Sequence, residues 1–222
     1  IVNNLMIPLE KDGPDEILLA AAAQLKTDVS NISFGKFLSK ALDLRDQKQF
    51  YYKISVTVHI DAHEFDCTKF SPYAEPEISV HKASGSMERP IIVGFGPAGM
   101  FAALEFVERG ICPIIFERGK KIDERRKDVH QFIKNRFLNP ESNIQFGEGG
   151  AGSFSDGKLF SRRNNNSSHT NRVLRTLVKF GAPAEIEFMA KPHLGTDVLC
   201  KIVKRIRIHI LERGGEIHYN SK

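Results

Sequence analysis

Between Phe50 and Ile60 the side chains alternate: Ile54, Val56, Val58 and Ile60 fall on one side, Lys53, Ser55, Thr57 and His59 on the other. A period of two predicts a strand with one face on a core and one in water. IVNNLMIPL at the start of the chain and the run from Phe34 to Leu44 read as two further strands. Between them Ile17, Leu18, Ala21 and Leu25 recur at helical spacing behind Pro14, a residue suited to a first helical turn. From Ala62 to Glu88 the apolar pattern lapses and Pro72, Pro76 and Gly85 appear, as in a connector. Residues 1–85 thus predict a small α+β domain plus linker, and residues 86–222 a second domain.

The pattern changes at RPIIVGFGPAGMFAALEFVERGICPIIFERG, from Arg89 to Gly119. Ile91, Ile92 and Val93 form a continuous apolar run, expected in a parallel strand buried on both faces. Met100, Ala103, Leu104 and Val107 give the buried stripe of a helix whose outer face carries Glu105, Glu108 and Arg109. Ile114 to Phe116 is a second strand, and Glu117 closes it. Strand, glycine turn, helix, strand and terminal acid together predict a dinucleotide-binding βαβ unit. In it Gly94 allows the sharp exit from the strand, Gly96 the approach of a pyrophosphate, and Gly99 close packing of helix on sheet. The helix N-terminus then faces the phosphates, and Glu117 accepts hydrogen bonds from the ribose hydroxyls. A carboxylate there also argues against a 2′-phosphate. The plainer alternative is a tight strand-to-helix turn with an incidental acid.

Farther on, Ile122, Val129, Phe132 and Ile133 predict a helix with one apolar edge. Arg118, Lys120, Lys121, Arg125 and Arg126 either reach phosphates or belong to a salt-laced exposed surface. Glycines 147, 149, 150, 152 and 157 crowd into eleven residues. Such a loop either lays backbone amides against a planar or anionic ligand, beside Ser153, Ser155, Asp156 and Lys158, or is a flexible surface loop. Val173, Leu174, Leu177 and Val178 mark a helix stopped by Gly181 and Pro183. Another follows with Thr196 as N-cap, a stripe at Leu199, Ile202, Val203, Ile206 and Ile210, and a solvated face of Lys201, Lys204 and Arg205. Gly214 and Gly215 lead into EIHY, a strand start. A doubly wound domain needs more strands than these, so the chain reads as a fragment of a longer polypeptide, cut at both ends.

Composition adds exclusions. A chain of 222 residues with 41% hydrophobic and 27% charged residues can bury a globular core. Cys67, Cys112 and Cys200 are widely spaced without a CxxC pair, which points to a reducing compartment and against structural zinc. His59, His63 and Glu64 fit polar positions on a solvated strand better than a metal site, and His193 fits a loop or core position better than a substrate contact. No run has the length of a membrane span, and the polar start is unlike a signal peptide, so no membrane partner and a cytoplasmic location are expected. The net charge of +5 is spread along the chain, consistent with a solvated surface and a site for a polyanionic cofactor, with nucleic acid not indicated.

GFGPAGMFAALEFVERGICPIIFERG, followed by ERRKDV, LNPESNIQFGEGGAGSFSDGKL, KPHLGTD and LERGGEI, resembles the bacterial FAD-dependent dehydrogenases also described as NAD(FAD)-utilising. The resemblance runs from about Arg89 to the end and, more loosely, through the N-terminal module. It implies an incomplete Rossmann-like FAD-binding domain, with FAD rather than free NAD at Gly94, Gly96, Pro97, Ala98 and Gly99 and with Glu117 on the adenosine ribose. It places Arg118 by the adenine or phosphates, and Gly149, Gly150, Ala151, Gly152, Ser153 and Asp156 near the flavin. The implied activity is that of an FAD-dependent oxidoreductase in which a small-molecule substrate or NAD(P)H reduces the flavin. Asp156 and Lys158 are the candidates for an acid or base. A direct NAD-binding dehydrogenase, or a non-catalytic FAD module touching RNA or protein, are the rival readings.

Overall fold

The alternating run becomes β3 (Tyr51–Ile60), the middle strand of an antiparallel sheet ordered β1-β3-β2, with β1 at Val2–Pro8 and β2 at Ile32–Asp43. A computed structural model describes residues 1–60, 70–75, 88–159 and 168–222. The chain divides into two units: Ile1–Glu77 with Phe160–Arg175 and Pro183–Pro192, and Ile78–Leu159 with Thr176–Ala182 and His193–Lys222. The boundary expected near residue 85, and His63, Glu64 and Cys67, lie outside the described residues.

In the first unit α1 (Pro14–Leu25) packs on the sheet. Its stripe of Ile17, Ala21, Ala22 and Leu25 meets Leu5, Ile7, Ile54 and Val56 in one apolar core. Pro14 opens the helix where an N–H would be unpaired anyway, and Lys26 in the left-handed conformation ends it. A distant segment extends the edge of β2. Lys40 N–H donates to Phe188 O at 2.8 Å, Ala190 N–H donates to Lys40 O at 3.0 Å, and Phe37 stacks on Phe188 with ring centres 4.7 Å apart.

The second unit is built on a parallel sheet ordered β4-β5-β6, with strands Ile91–Val93, Ile114–Phe116 and Glu216–His218. The register aligns Ile92 with Ile115 and Ile115 with Ile217, so these three share a face. Over it lie α2 (Pro97–Glu108) and α5 (Thr196–Glu212), which contact β4 and β6 respectively and each other. α3 (Ile122–Asn135) packs against α5. Close packing of α2 depends on Gly99: a Cβ there would lie 2.0 Å from Gly94 O and 3.3 Å from Ile92 Cγ2. The molecule is thus mixed α/β, with one antiparallel and one parallel three-stranded sheet.

Two expectations are corrected. Ile92 is buried, but Ile91 and Val93 are 66% and 87% exposed, because the described helices cover only one face of the parallel sheet. Gly195, rather than Thr196, is the N-cap residue of α5, with no side-chain cap. The helix marked by Val173, Leu174, Leu177 and Val178 is present as α4 (Ser168–Lys179), with Leu174 and Leu177 buried. Among the described residues no helix is long and apolar enough to cross a membrane.

Candidate functional site

β4 ends at Val93 and α2 begins at Pro97, so Gly94, Phe95 and Gly96 make the whole turn. Gly94 takes φ +93°, a conformation that residues with a Cβ rarely adopt. Gly96 is the N-cap and offers no side-chain cap, leaving the amides of Ala98 and Gly99 in the first turn with the positive end of the helix dipole. Pro97 suits the first position because it has no N–H to satisfy.

Glu117, at the end of β5, is 5% exposed. Its Oε2 accepts the Phe95 N–H at 2.7 Å and its Oε1 accepts the Gly119 N–H at 2.8 Å. The carboxylate therefore ties the end of β5 to the glycine turn after β4. Each oxygen retains further acceptor capacity. A cavity of about 370 Å³ opens at this junction, and Gly94, Gly96, Glu117, Arg118, Phe146 and Gly150 are among its walls. The Arg118 guanidinium lies 4.2 Å from the Phe146 ring centre and is ion-paired to Glu141, whose other oxygen accepts from Lys222 Nζ at 3.1 Å. Arg118 and Lys222 together hold the Glu141 carboxyl down at about 2, from its ordinary 4.5.

The glycine-rich loop is shaped from inside by Arg125. This side chain is fully buried and donates to five backbone carbonyls. Nε reaches Asn143 O at 2.8 Å, Nη2 reaches Ile144 O at 2.7 Å, and Nη1 reaches Gly147, Glu148 and Gly150 O at 3.2, 2.7 and 2.9 Å. Burial lowers its pKa to about 10, which leaves it charged at neutral pH. Gly147 takes φ +122°, and a Cβ there would lie 2.4 Å from Arg125 Cδ. Glu148, also fully buried, accepts from Ile122 N at 2.6 Å, Arg207 Nη1 at 2.8 Å and the Tyr219 hydroxyl at 2.8 Å. Burial raises the Glu148 and Tyr219 pKa values. For Arg207, burial opposes the charge, but Glu148, Tyr219 and Asp123 together outweigh it and raise the pKa.

The sequence-predicted residues thus separate. Gly94, Gly96, Glu117, Arg118 and Gly150 line one cavity, with Pro97, Ala98 and Gly99 in the adjoining helical turn. Gly149 turns inward, its N–H donating to Phe95 O at 2.9 Å, and Ser153 is buried. Ala151 and Gly152 are exposed in the short 3₁₀ turn that follows Gly150 and are not among the cavity walls. Asp156 and Lys158 form an ion pair at 2.7 Å in solvent, also outside the walls, and His193 is exposed. Arg125 does not reach toward phosphates: its buried donors are committed to the loop. Sequence reasoning missed its role, as well as those of Glu148, Phe146 and Lys222. The signal for Arg125 was present, since it lies three residues after Ile122 and four before Val129, on the buried stripe of α3. Among the described residues no group of three metal-ligating side chains occurs.

Two outcomes follow. Arg125→Met removes the guanidinium from five carbonyls, of which Gly147 O and Gly150 O keep a backbone N–H partner, and should cost about 3–5 kcal/mol in urea denaturation, with Arg125→Lys intermediate because an ammonium spans fewer of them. Glu141 has a folded-state pKa below its unfolded value, so its contribution is present above pH 4.5 and is lost as pH falls toward about 2. The stability advantage of the wild type over Glu141→Gln, read as urea midpoints, should shrink through that window; an advantage independent of pH would contradict the pairing.

No family model matches the chain. It is similar to an uncharacterised protein of Clostridium beijerinckii, 38% identical over 229 residues, a match that takes in all of this chain and 42% of that protein. The chain therefore spans less than half the length of this curated relative, whose name states no activity, and the functional reading rests on the geometry above.

Proposed function

We propose that the cavity between the α2 N-terminus and Glu117 binds the adenosine diphosphate part of FAD, and that the protein is an FAD-dependent oxidoreductase. The observation that carries this reading is the meeting of Gly96 and Glu117 at one cavity. The succession of β4, α2 and β5, with β6 beside β5, is the order of one half of a Rossmann-like fold, whose ligands bind beyond the carboxyl ends of the strands.

The residues present fit such a ligand. A Cβ at Gly96 would meet only the Gly150 backbone within 4 Å, with its nearest atom at 3.7 Å, so the fold itself has room for a methyl group there. The need for glycine at this position comes instead from the close approach of a pyrophosphate. The α2 dipole contributes about 0.3–1 kcal/mol toward holding an anion, and more where the site is partly buried. Glu117, already fixed by two amides, uses its remaining acceptor capacity for ribose hydroxyls. Arg118 and Phe146 present a flat cationic and aromatic pair to the adenine side. The cavity lies toward the small end of ligand sites, which run from about 300 to 1,000 Å³, and suits one nucleotide half of the cofactor.

Bound FAD would supply the hydride and electron chemistry, with NAD(P)H or another reduced small molecule as donor. This chain contributes binding and orientation. Asp156 and Lys158, paired in solvent, are given no catalytic role in this reading.

Purified complete polypeptide should carry an extractable flavin with its visible spectrum; a colourless protein that binds NAD would overturn the FAD reading. Gly96→Ala should leave the melting temperature of the cofactor-free protein nearly unchanged while weakening FAD binding at least about tenfold, measured by flavin fluorescence titration. Unchanged affinity would remove Gly96 from the site.

A further inference from the structure

Behind the Arg118 and Phe146 wall of the cavity stands a carboxylate that is not itself among the cavity walls. Glu141 accepts from Arg118 Nε with one oxygen and from Lys222 Nζ at 3.1 Å with the other, and Arg118 and Lys222 both line the cavity. An arginine left to itself samples many rotamers. Here Nε is held by Glu141 while the guanidinium sits 4.2 Å from the Phe146 ring centre. Glu141 is fixed in turn by its own loop. Asn139 Oδ1 accepts the amides of Glu141 and Ser142 at 3.0 and 3.1 Å, and Asn143 Oδ1 accepts those of Gln145 and Phe146 at 2.8 and 3.1 Å. Asn143 Nδ2 donates to Asn139 O at 2.8 Å, which joins the turn carrying the carboxylate to the turn carrying the ring. Gly119 lets this loop lie close to Arg118, since a Cβ there would stand 2.9 Å from Glu141 O.

We propose that Glu141 is a positioning residue for the base subsite of this cavity: it holds Arg118 over Phe146 before a ligand arrives, so that a purine ring meets a ready platform. This role rests on the nucleotide reading of the cavity and adds what the base encounters there. The N–H bonds of a guanidinium lie in its plane, so a carboxylate at Nε leaves both faces free. One face takes Phe146 and the other remains for a second flat ring. A role through Arg118, rather than by touching the ligand, follows from the place of Glu141 outside the cavity walls. Its contribution is preorganisation: a ligand that must itself immobilise a rotamer-rich side chain binds about three- to tenfold more weakly.

The test is titration with ADP and with inorganic pyrophosphate, which lacks a base, followed by NMR at the amides of Gly96 and Gly99. Wild type, Glu141→Gln, Arg118→Met and the double variant are compared. Glu141→Gln should weaken ADP about three- to tenfold, leave pyrophosphate within about twofold, and have no further effect once Arg118 is Met. Equal weakening of both ligands would reduce Glu141 to a structural role and overturn the proposal. Unchanged ADP affinity would do the same, as would tighter ADP binding, which would make Glu141 a competitor for Arg118, or a loss that persists in the Arg118→Met background. Glu141→Asp, which keeps the charge but shortens its reach, gives a second reading should Glu141→Gln misfold, with the same selective loss of ADP expected. A wild type that binds no ADP would instead refute the nucleotide reading, and the proposal with it, a result distinct from any change between variants.

Discussion

One buried cation shapes the wall opposite the glycine turn. Arg125 sits beneath residues 143–150, a stretch with neither helical nor strand ladder, and gathers five of its carbonyl oxygens onto a single guanidinium. A charge in that position would be costly in isolation, and oriented peptide dipoles offset the cost, aided by the nearby charges of Glu117 and Glu148. The same arrangement explains the loop's composition. Gly147 must be glycine because the Arg125 side chain fills the place of a Cβ, and Gly119 must be glycine because Gly147 backbone lies 2.5 Å from where its own Cβ would stand.

Two buried carboxylates complete the frame. Glu117 joins the end of β5 to the turn after β4, while Glu148 joins the start of α3 to α5 and to Tyr219 just beyond β6. Segments far apart in the chain are thus fixed around one cavity by charged groups facing inward, and the mobile-looking glycine content is anchored rather than free. Buried ionic networks of this kind contribute less to stability than to the choice of one arrangement, because each member left without a partner is heavily penalised.

The elements themselves were legible. Periods of two and 3.6 located β3, α1, α2 and α5 closely, and the glycine spacing with its terminal acid located the turn and the residue that closes it. Two kinds of feature were not legible. An apolar tripeptide such as Ile91–Val93 looks the same whether one face of its sheet is covered or both, since covering depends on elements elsewhere. The partners of Arg125 and Glu148 are backbone groups or distant side chains, and no local periodicity encodes them. Arg118 illustrates the middle case: its place beside the acid set it at the cavity, whereas its stacking on Phe146 and pairing with Glu141 required the loop to be folded.

The role given to Gly96 and Glu117 requires that a nucleoside diphosphate enter this cavity. Backbone amide NMR of the 222-residue chain titrated with ADP decides it. Shifts concentrated at Gly94, Gly96, Ala98, Gly99, Glu117 and Phe146 to Gly150, saturating with one ligand, are the predicted result. No saturable shift at these amides, or shifts confined to β1, β2 and β3, would contradict it.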